Sequence, residues 1–463
     1  MTGIFPDEWK SARVTPLYKN TGKRSDPTNY RPISIIPVVA KVFERIIYDQ
    51  LYRYLTNNNF LSCHQSGFRS LHSTLTALIE ATDSWAMDID RGLVNAVVFL
   101  DLKKAFDTVD HDILLRKLQY YGICWTSHQW FASYLDNRTQ ICHVNSCKST
   151  PKYLRCGVPQ GTILGPLLFL IYINDLPHCL TYSEPRMYAD DTSLTLASTD
   201  FDHINYCLNY DLSNVYEWLS ANKLTLNMTK TEFMLIASRQ KLSQFTESPS
   251  LTINEIAIEQ VTSAKSLGVY VDQNINWECH IENISKKIAC AIGAIKRIRH
   301  LTPFNVLIKV YNSLVQPHFD YCNVVWGNCN KGLSEKLQRL QNRAARILMS
   351  ASYDSNLDDL FRALGWRRLY YQRLEQKSIL MYKTLHGMTP DYLRSRFVYR
   401  DNISAYRLRN TENKLVLPQP RTDYLKRSFL YSGAHLWNDL PLDLRQASSL
   451  TDFKSKLSRH SLK

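Results

Sequence analysis

Arg186-Met-Tyr-Ala-Asp-Asp-Thr-Ser-Leu-Thr-Leu-Ala197 is the stretch whose reading decides the fold. It reads as two short strands around a tight Asp-Asp turn. Two adjacent carboxylates in such a turn repel each other, so something must offset the repulsion. Taken alone, Asp190-Asp191 is an ordinary Asx-rich reversal of the chain. A second segment changes that reading. Asn95-Ala-Val-Val-Phe-Leu-Asp101 has the apolar run of a buried strand and ends on a carboxylate, which is costly there unless it meets a cation or a donor. If the strands lie side by side, Asp101, Asp190 and Asp191 converge. That cluster suits two Mg²⁺ ions, which take oxygen ligands and keep positions open for phosphate.

Working outward, strands and helices alternate from Phe5 to about Asp272. His111–Tyr121 reads as a helix, and Thr162–Ile173 as an apolar helix after a Gly-Val-Pro-Gln-Gly turn. Ile204, Leu208, Leu212, Val215 and Leu219 recur at helical spacing. Beyond Asp272 the pattern becomes helix upon helix. Ile281, Ile284, Ile288, Ile292 and Ile295 make one apolar face. Near 333–348, Leu333, Leu337, Leu340, Ala344 and Ile347 form a buried stripe, and Lys336, Arg339, Arg343 and Arg346 share an adjoining face. That basic face is either simply solvated or a ladder along a nucleic-acid backbone. The spacing leaves both open.

Composition narrows the class without naming it. With 44% hydrophobic and 21% charged residues the chain is globular, not disordered. No apolar run is long enough to cross a membrane and no secretory leader is visible, so a nuclear or cytoplasmic, non-secreted protein is expected. The eleven cysteines contain no CxxC pair, which argues against a disulfide scaffold; Cys322 and Cys329 with His318 make at most half a zinc site. The net charge of +14 is uneven: residues 351–463 hold 20 Lys+Arg against 11 Asp+Glu. Such an excess suits a polyanion, although membranes and acidic proteins would also fit.

Set in order, seven blocks carry a resemblance. They are Asn29-Tyr-Arg-Pro-Ile-Ser-Ile35, Gln65-Ser-Gly-Phe-Arg69 with Ser73-Thr74, and Phe99-Leu-Asp-Leu-Lys-Lys-Ala-Phe-Asp107. Gly157-Val-Pro-Gln-Gly161, Tyr188-Ala-Asp-Asp191, Leu224-Thr-Leu-Asn-Met-Thr-Lys-Thr-Glu232 and Ser266-Leu-Gly-Val-Tyr270 follow. Together they resemble the reverse transcriptases of non-LTR (LINE-type) retrotransposons, most of all the jockey-like branch.

The resemblance implies an α+β right-hand polymerase. Fingers and a ferredoxin-like βαββαβ palm would span 1–272, a helical thumb 273–350, and a basic C-terminal extension able to bind RNA 351–463. It also implies roles. Asp101, Asp190 and Asp191 would be the palm carboxylates and metal ligands, for two Mg²⁺ or Mn²⁺ ions. Phe106 would lie under the incoming sugar and leave no room for a 2′-hydroxyl; by itself it reads as a core aromatic. Arg69, Arg31 and Gln160 would meet the dNTP, where a guanidinium suits phosphate. Lys230 would protonate the leaving pyrophosphate. Gly157 and Gly161 would let backbone approach nucleic acid closely, and Lys336, Arg339, Arg343 and Arg346 would track the duplex. Asp107 is a typical family residue without an evident chemical role.

Elements of this kind usually carry an endonuclease ahead of the polymerase, and the chain opens almost directly on the fingers, at Phe5-Pro-Asp-Glu-Trp9. Target cutting would then fall to an endonuclease acting in trans. The implied activity is extension of a DNA or RNA primer on an RNA template with dNTPs. The alternatives are a catalytically inactive, truncated nucleic-acid-binding remnant and an RNA-dependent RNA polymerase, against which Phe106 and the fingers blocks argue.

Overall fold

The computed structural model describes residues 3–20, 22–244, 248–400 and 412–460. The chain begins with strands β1 (Ser11–Tyr18) and β2 (Tyr30–Ile35), then helices α1 (Val38–Asn57) and α2 (Thr74–Asp90). Strand β3 (Val94–Leu100) is followed by α3 (His111–Tyr120), α4 (Trp125–Leu135), β4 (Thr139–Val144) and the short β5 (Cys147–Lys148) and β6 (Lys152–Tyr153). Next come α5 (Leu164–Ile173), the hairpin β7 (Glu184–Tyr188) and β8 (Asp191–Ser198), α6 (Phe201–Ala221) and β9 (Glu232–Ile236).

One sheet has the order β2-β1-β4-β5, with β6 on β4; a second has the order β12-β9-β3-β8-β7, where β12 is Glu259–Gln260. Within the second sheet β3, β7, β8 and β9 are joined by α3–α5, a hairpin and α6. Numbered by their own succession they stand 4-1-3-2, all antiparallel. This is the ferredoxin-like palm that was expected, in an α+β fold.

Strand β3 explains why its sequence is apolar without alternation. Val94, Ala96, Val98 and Leu100 point into a core shared with α3, α5 and α6. Val97 enters a second core on the opposite face, formed with α2 and the later helices, and Phe99 packs against it. A sheet covered on both faces favours hydrophobic residues on both sides of the strand; the exception, Asn95, is buried with its amide donating to the Trp85 carbonyl at 3.4 Å. The same logic governs α5, where every residue but Pro166 is buried; each large apolar side chain there contributes ~1.5–3 kcal/mol.

After the small elements α7 (Arg239–Leu242), β10 (Thr252–Ile253) and β11 (Ile256–Ala257), the hairpin β13 (Ser263–Ser266) and β14 (Val269–Asp272) leads into α8 (Glu278–Ile298). The chain continues through α9 (Phe304–Leu314), α10 (Gln316–Asp320), α11 (Asn323–Trp326) and α12 (Lys331–Leu348). All five isoleucines of the α8 face are buried. In α12 the stripe is rotated: Leu333 and Leu340 are only half-buried, while Gln341 and Ala345 are fully so. Gln341 tolerates burial because its amide donates to the Arg367 carbonyl at 3.1 Å.

The remaining helices are α13 (Leu357–Leu364), α14 (Leu369–Leu385), α15 (Asp391–Arg394), α16 (Asp423–Arg427), α17 (Phe429–Asp439), α18 (Leu442–Arg445) and α19 (Leu450–Arg459). Their apolar residues, Met381, Trp437 and Phe453 among them, belong to the core that also holds Trp85 of α2 and the isoleucines of α8. Cys322 lies in this core with its Sγ 3.9 Å from the Thr74 hydroxyl, and the nearby Cys329 is held up in pKa mainly by burial.

Candidate active site

The expected convergence starts from register. Leu100 of β3 pairs with Thr192 of β8, so one step further along the ladder Asp101 faces Asp191. Asp190 occupies the two-residue turn between β7 and β8, closed by the Tyr188–Asp191 pair. Burial raises the Asp190 pKa above its usual range; the Asp101 charge raises it further and Arg31 opposes the shift. Asp191 is pushed up to about 6 by burial, then by Asp190 and Asp101. Like charges a few ångströms apart have this effect on each other.

Asp101 is gripped by the loop before β9. Its backbone carbonyl accepts from Asn227 N (2.7 Å), its Oδ2 accepts from Asn227 Nδ2 (2.9 Å), and Lys230 Nζ stands 3.7 Å from the same oxygen. Nothing in the sequence marks Asn227 for this role, since its spacing gives no sign that its amide turns back onto the strand. Among the described residues no group of three or more His, Cys, Asp or Glu side chains is arranged to hold a metal ion. The carboxylates therefore feel one another's charge without forming a ready cage. As a donor set of hard oxygens in mutual repulsion, they fit a divalent cation.

Phe106 stacks on Phe169 of α5 (centroids 4.3 Å apart) and meets Phe68 edge-on at 6.2 Å. It is half-buried, with the stacked face of the ring fixed by these contacts. The Gly157–Gly161 block is stitched to this segment: Gly157 N donates to Val109 O (2.7 Å), Val158 N to Phe106 O (2.8 Å) and Gln160 Nε2 to Asp107 Oδ1 (3.0 Å). Asp107 thus anchors Gln160, and burial raises its pKa while Gln160, Lys104 and Lys19 oppose the rise.

The two glycines serve contacts within the protein. A Cβ on Gly157 would stand 2.7 Å from Asp107 O, and one on Gly161 2.4 Å from Ser34 O. Both residues also have positive φ, at 87° and 116°. Their requirement follows from these backbone approaches before any nucleic acid is considered.

Arg69 donates from Nη1 to Ser62 O (2.7 Å) and Gln65 O (3.1 Å), bracing its own loop. Arg31 is exposed on β2 with its charge reaching Asp190. A cavity of about 310 Å³ runs from Asp101, Asp191 and Lys230 to Leu267 of the β13–β14 hairpin. Tyr321 steadies that hairpin, its hydroxyl donating to Leu267 O at 2.7 Å.

Farther out, Lys336, Arg339 and Arg343 of α12 and Lys286 of α8 line an open groove of about 530 Å³ floored by Ala289 and Leu340. Arg346 is set apart from them: it is half-buried, with its guanidinium 4.9 Å above the Tyr353 ring. Among the described residues no helix is long and apolar enough to cross a membrane.

Comparison with known proteins gives a consistent result. The family model described as "Reverse transcriptase (RNA-dependent DNA polymerase)" matches residues 19–271. The "Probable RNA-directed DNA polymerase from transposon BS" of Drosophila melanogaster is 29% identical over 366 residues, covering 76% of this chain and 39% of that protein. The "RNA-directed DNA polymerase from mobile element jockey" of the same organism is 27% identical over 381 residues, covering 78% of this chain and 40% of that protein. The chain thus spans about two fifths of the length of these relatives. Among solved structures, apo telomerase from Candida Tropicalis aligns with a TM-score of 0.44 and 10% identity, over 85% of this chain and 64% of that one.

Proposed function

The chain belongs to the reverse transcriptase (RNA-dependent DNA polymerase) family, and we propose on that premise that it copies RNA into DNA as the polymerase of a non-LTR retrotransposon. It would extend a DNA or RNA primer on an RNA template, with dNTPs as substrates. The observation that carries this reading is the placement of Asp101 at the end of β3 beside the β7–β8 turn that bears Asp190 and Asp191, in a ferredoxin-like sheet where the Asp101 charge raises the pKa of both.

In this proposal Asp101, Asp190 and Asp191 hold two Mg²⁺ or Mn²⁺ ions, which when bound acidify the primer 3′-hydroxyl and neutralise charge on the departing pyrophosphate. Arg31, near Asp190, and Arg69 attract the triphosphate. Lys230, beside Asp101 while the site is free, turns to the pyrophosphate and gives it a proton. Phe106, wedged against Phe169, cannot move aside for a 2′-hydroxyl and so selects the deoxy sugar. Gln160, oriented by Asp107, borders the nucleotide and template. Residues 273–350 act as the thumb, and the groove of Lys286, Lys336, Arg339 and Arg343 receives the duplex backbone.

The test is primer extension on an RNA template with dNTPs and Mg²⁺, comparing the chain with its Asp190→Asn variant. Extension that the variant loses supports the polymerase and its metal site together. No extension by a folded wild-type chain, with salt-sensitive nucleic-acid binding retained, would replace this reading with that of a binding remnant.

A further inference from the structure

The turn that carries Asp190 does not stand by itself. Ala189 has φ 56°, a left-handed conformation that a non-glycine residue keeps only where its surroundings enforce it. The enforcing contacts come from 124 residues earlier. Gln65 is 1% exposed. Its Oε1 accepts from Ala189 N (2.8 Å) and from Gly67 N (2.7 Å), while its Nε2 donates to Ala189 O (3.3 Å).

The main chain joins in. Gln65 pairs in parallel with Met187, Ser66 N donates to Met187 O (2.8 Å), and Met187 N donates to His64 O (2.9 Å). A Cβ on Gly67 would sit 2.2 Å from Ala189 N, so the two backbones touch at the turn itself. We infer that Gln65 is a positioning residue: its side-chain amide clamps both main-chain polar groups of Ala189 and thereby fixes the direction in which Asp190 presents its carboxylate.

The chemistry selects an amide. Holding an N–H and a C=O of one residue at once needs an acceptor and a donor on the same group, which a carboxylate or an aliphatic side chain lacks. A carboxylate would also add a negative charge beside Asp190. Gly67 is glycine because of the same contact. The inference rests on the polymerase reading only for its catalytic consequence; the clamp on the turn follows from the contacts alone.

The experiment uses the full chain and its Gln65→Met variant, which keeps the length of the side chain and removes the three hydrogen bonds. Folding is followed by circular dichroism, Mn²⁺ affinity of the free protein by electron paramagnetic resonance, template–primer affinity by anisotropy, and kcat and dNTP KM by primer extension. The expected result is a folded variant with Mn²⁺ affinity and kcat each lowered by ~10–100-fold and with dNTP KM and template–primer affinity within about twofold of wild type. Unchanged Mn²⁺ affinity and kcat overturn the inference, as does a fall in kcat matched by an equal loss of template–primer binding. If Gln65→Met does not fold, Gln65→Asn, one methylene too short to reach both groups, takes its place with the same readings. A wild-type chain that binds Mn²⁺ but extends no primer refutes the polymerase, and the Mn²⁺ arm alone then decides the role of Gln65.

Discussion

Replacing Asp191 by Asn should make the metal-free protein more stable while abolishing extension. The Asp191 carboxyl is pushed from its ordinary 3.8 to about 6, first by burial and then by Asp190 and Asp101. A raised folded-state pKa means that the favourable contribution is fully present below 3.8 and is lost as the pH climbs through about 6. A rise of that size corresponds to ~3 kcal/mol at neutral pH if the group were wholly withdrawn from water. Asp191 is exposed on its outer side, and solvent screening reduces the figure to ~1 kcal/mol. In a chain of this size that is a rise of ~1–2 °C in Tm. Thermal unfolding in a chelator at pH 3, pH 5 and pH 8 measures it: the advantage of Asp191→Asn should be near zero at pH 3, about half developed at pH 5 and full at pH 8. Saturating Mg²⁺ should reverse the order by stabilising only the wild-type chain. An Asn variant that is less stable than wild type at pH 8 in chelator, or an advantage independent of pH, would show that the carboxylates do not strain one another and would remove the central argument for the site.

Three further outcomes are expected. Phe106→Ala should relax discrimination against ribonucleotides by on the order of tenfold or more in single-nucleotide incorporation with dNTP and NTP; unchanged selectivity would return Phe106 to a purely packing role. Reversing Lys336, Arg339 and Arg343 to Glu should weaken template–primer binding at low salt and reduce the slope of log K against log salt by about 2–3, read by anisotropy titration; an unaltered slope means the groove is merely solvated. Asp83→Ala strips the shared acceptor from the Phe429 and Leu430 amides, each 2.8 Å away at the start of α17, and should cost about 1–3 kcal/mol in chemical denaturation, whereas no loss would mean that water replaces the carboxylate.

The features legible in the sequence are those with a local pattern. The apolar run of β3, the β7–β8 hairpin around Asp190-Asp191, the uniformly buried α5 and the isoleucine face of α8 each follow from periodicity and burial. The partners of single polar side chains are not legible, because nothing local marks a contact made across about fifty residues or more. Asn227 on Asp101, Asp107 under Gln160 and Gln65 on Ala189 are all of this kind. The basic stripe of α12 was visible as a face, but its composition changes at the end, where Arg346 leaves Arg343 for the ring of Tyr353 beyond the helix. Spacing locates a side chain's direction at Cβ; a guanidinium several bonds farther goes where an aromatic or a carbonyl draws it.

The charge of residues 351–463 carries less information than its sum suggests. Arg396 pairs with Glu80 at 3.1 Å, Arg367 with Glu375, Arg368 with Asp358, and Lys456 with Asp452. Arg373 and Arg445 are buried, and burial draws the Lys377 pKa down to about 8. Part of the surplus is therefore held inside the fold by burial, and Arg396 is held by an ion pair to α2. Acidic groups of α2 take the region in turn: Glu80 holds Arg396, Asp83 the amides that begin α17, and Asp90 the Arg421 and Thr422 amides. Glu80 also binds Arg186 of β7 at 2.6 Å, in the strand that leads into the Asp190 turn, and Tyr392 reaches Ser66 and Thr76. One helix thus has the segment bearing Gln65 before its first turn, strand β7 on its flank and the C-terminal helices along its back. A region fastened at those points is braced against the strand that leads into the Asp190 turn, while Lys286, Lys336, Arg339 and Arg343 line the groove between α8 and α12, where Glu282 stands 4.0 Å from Lys336.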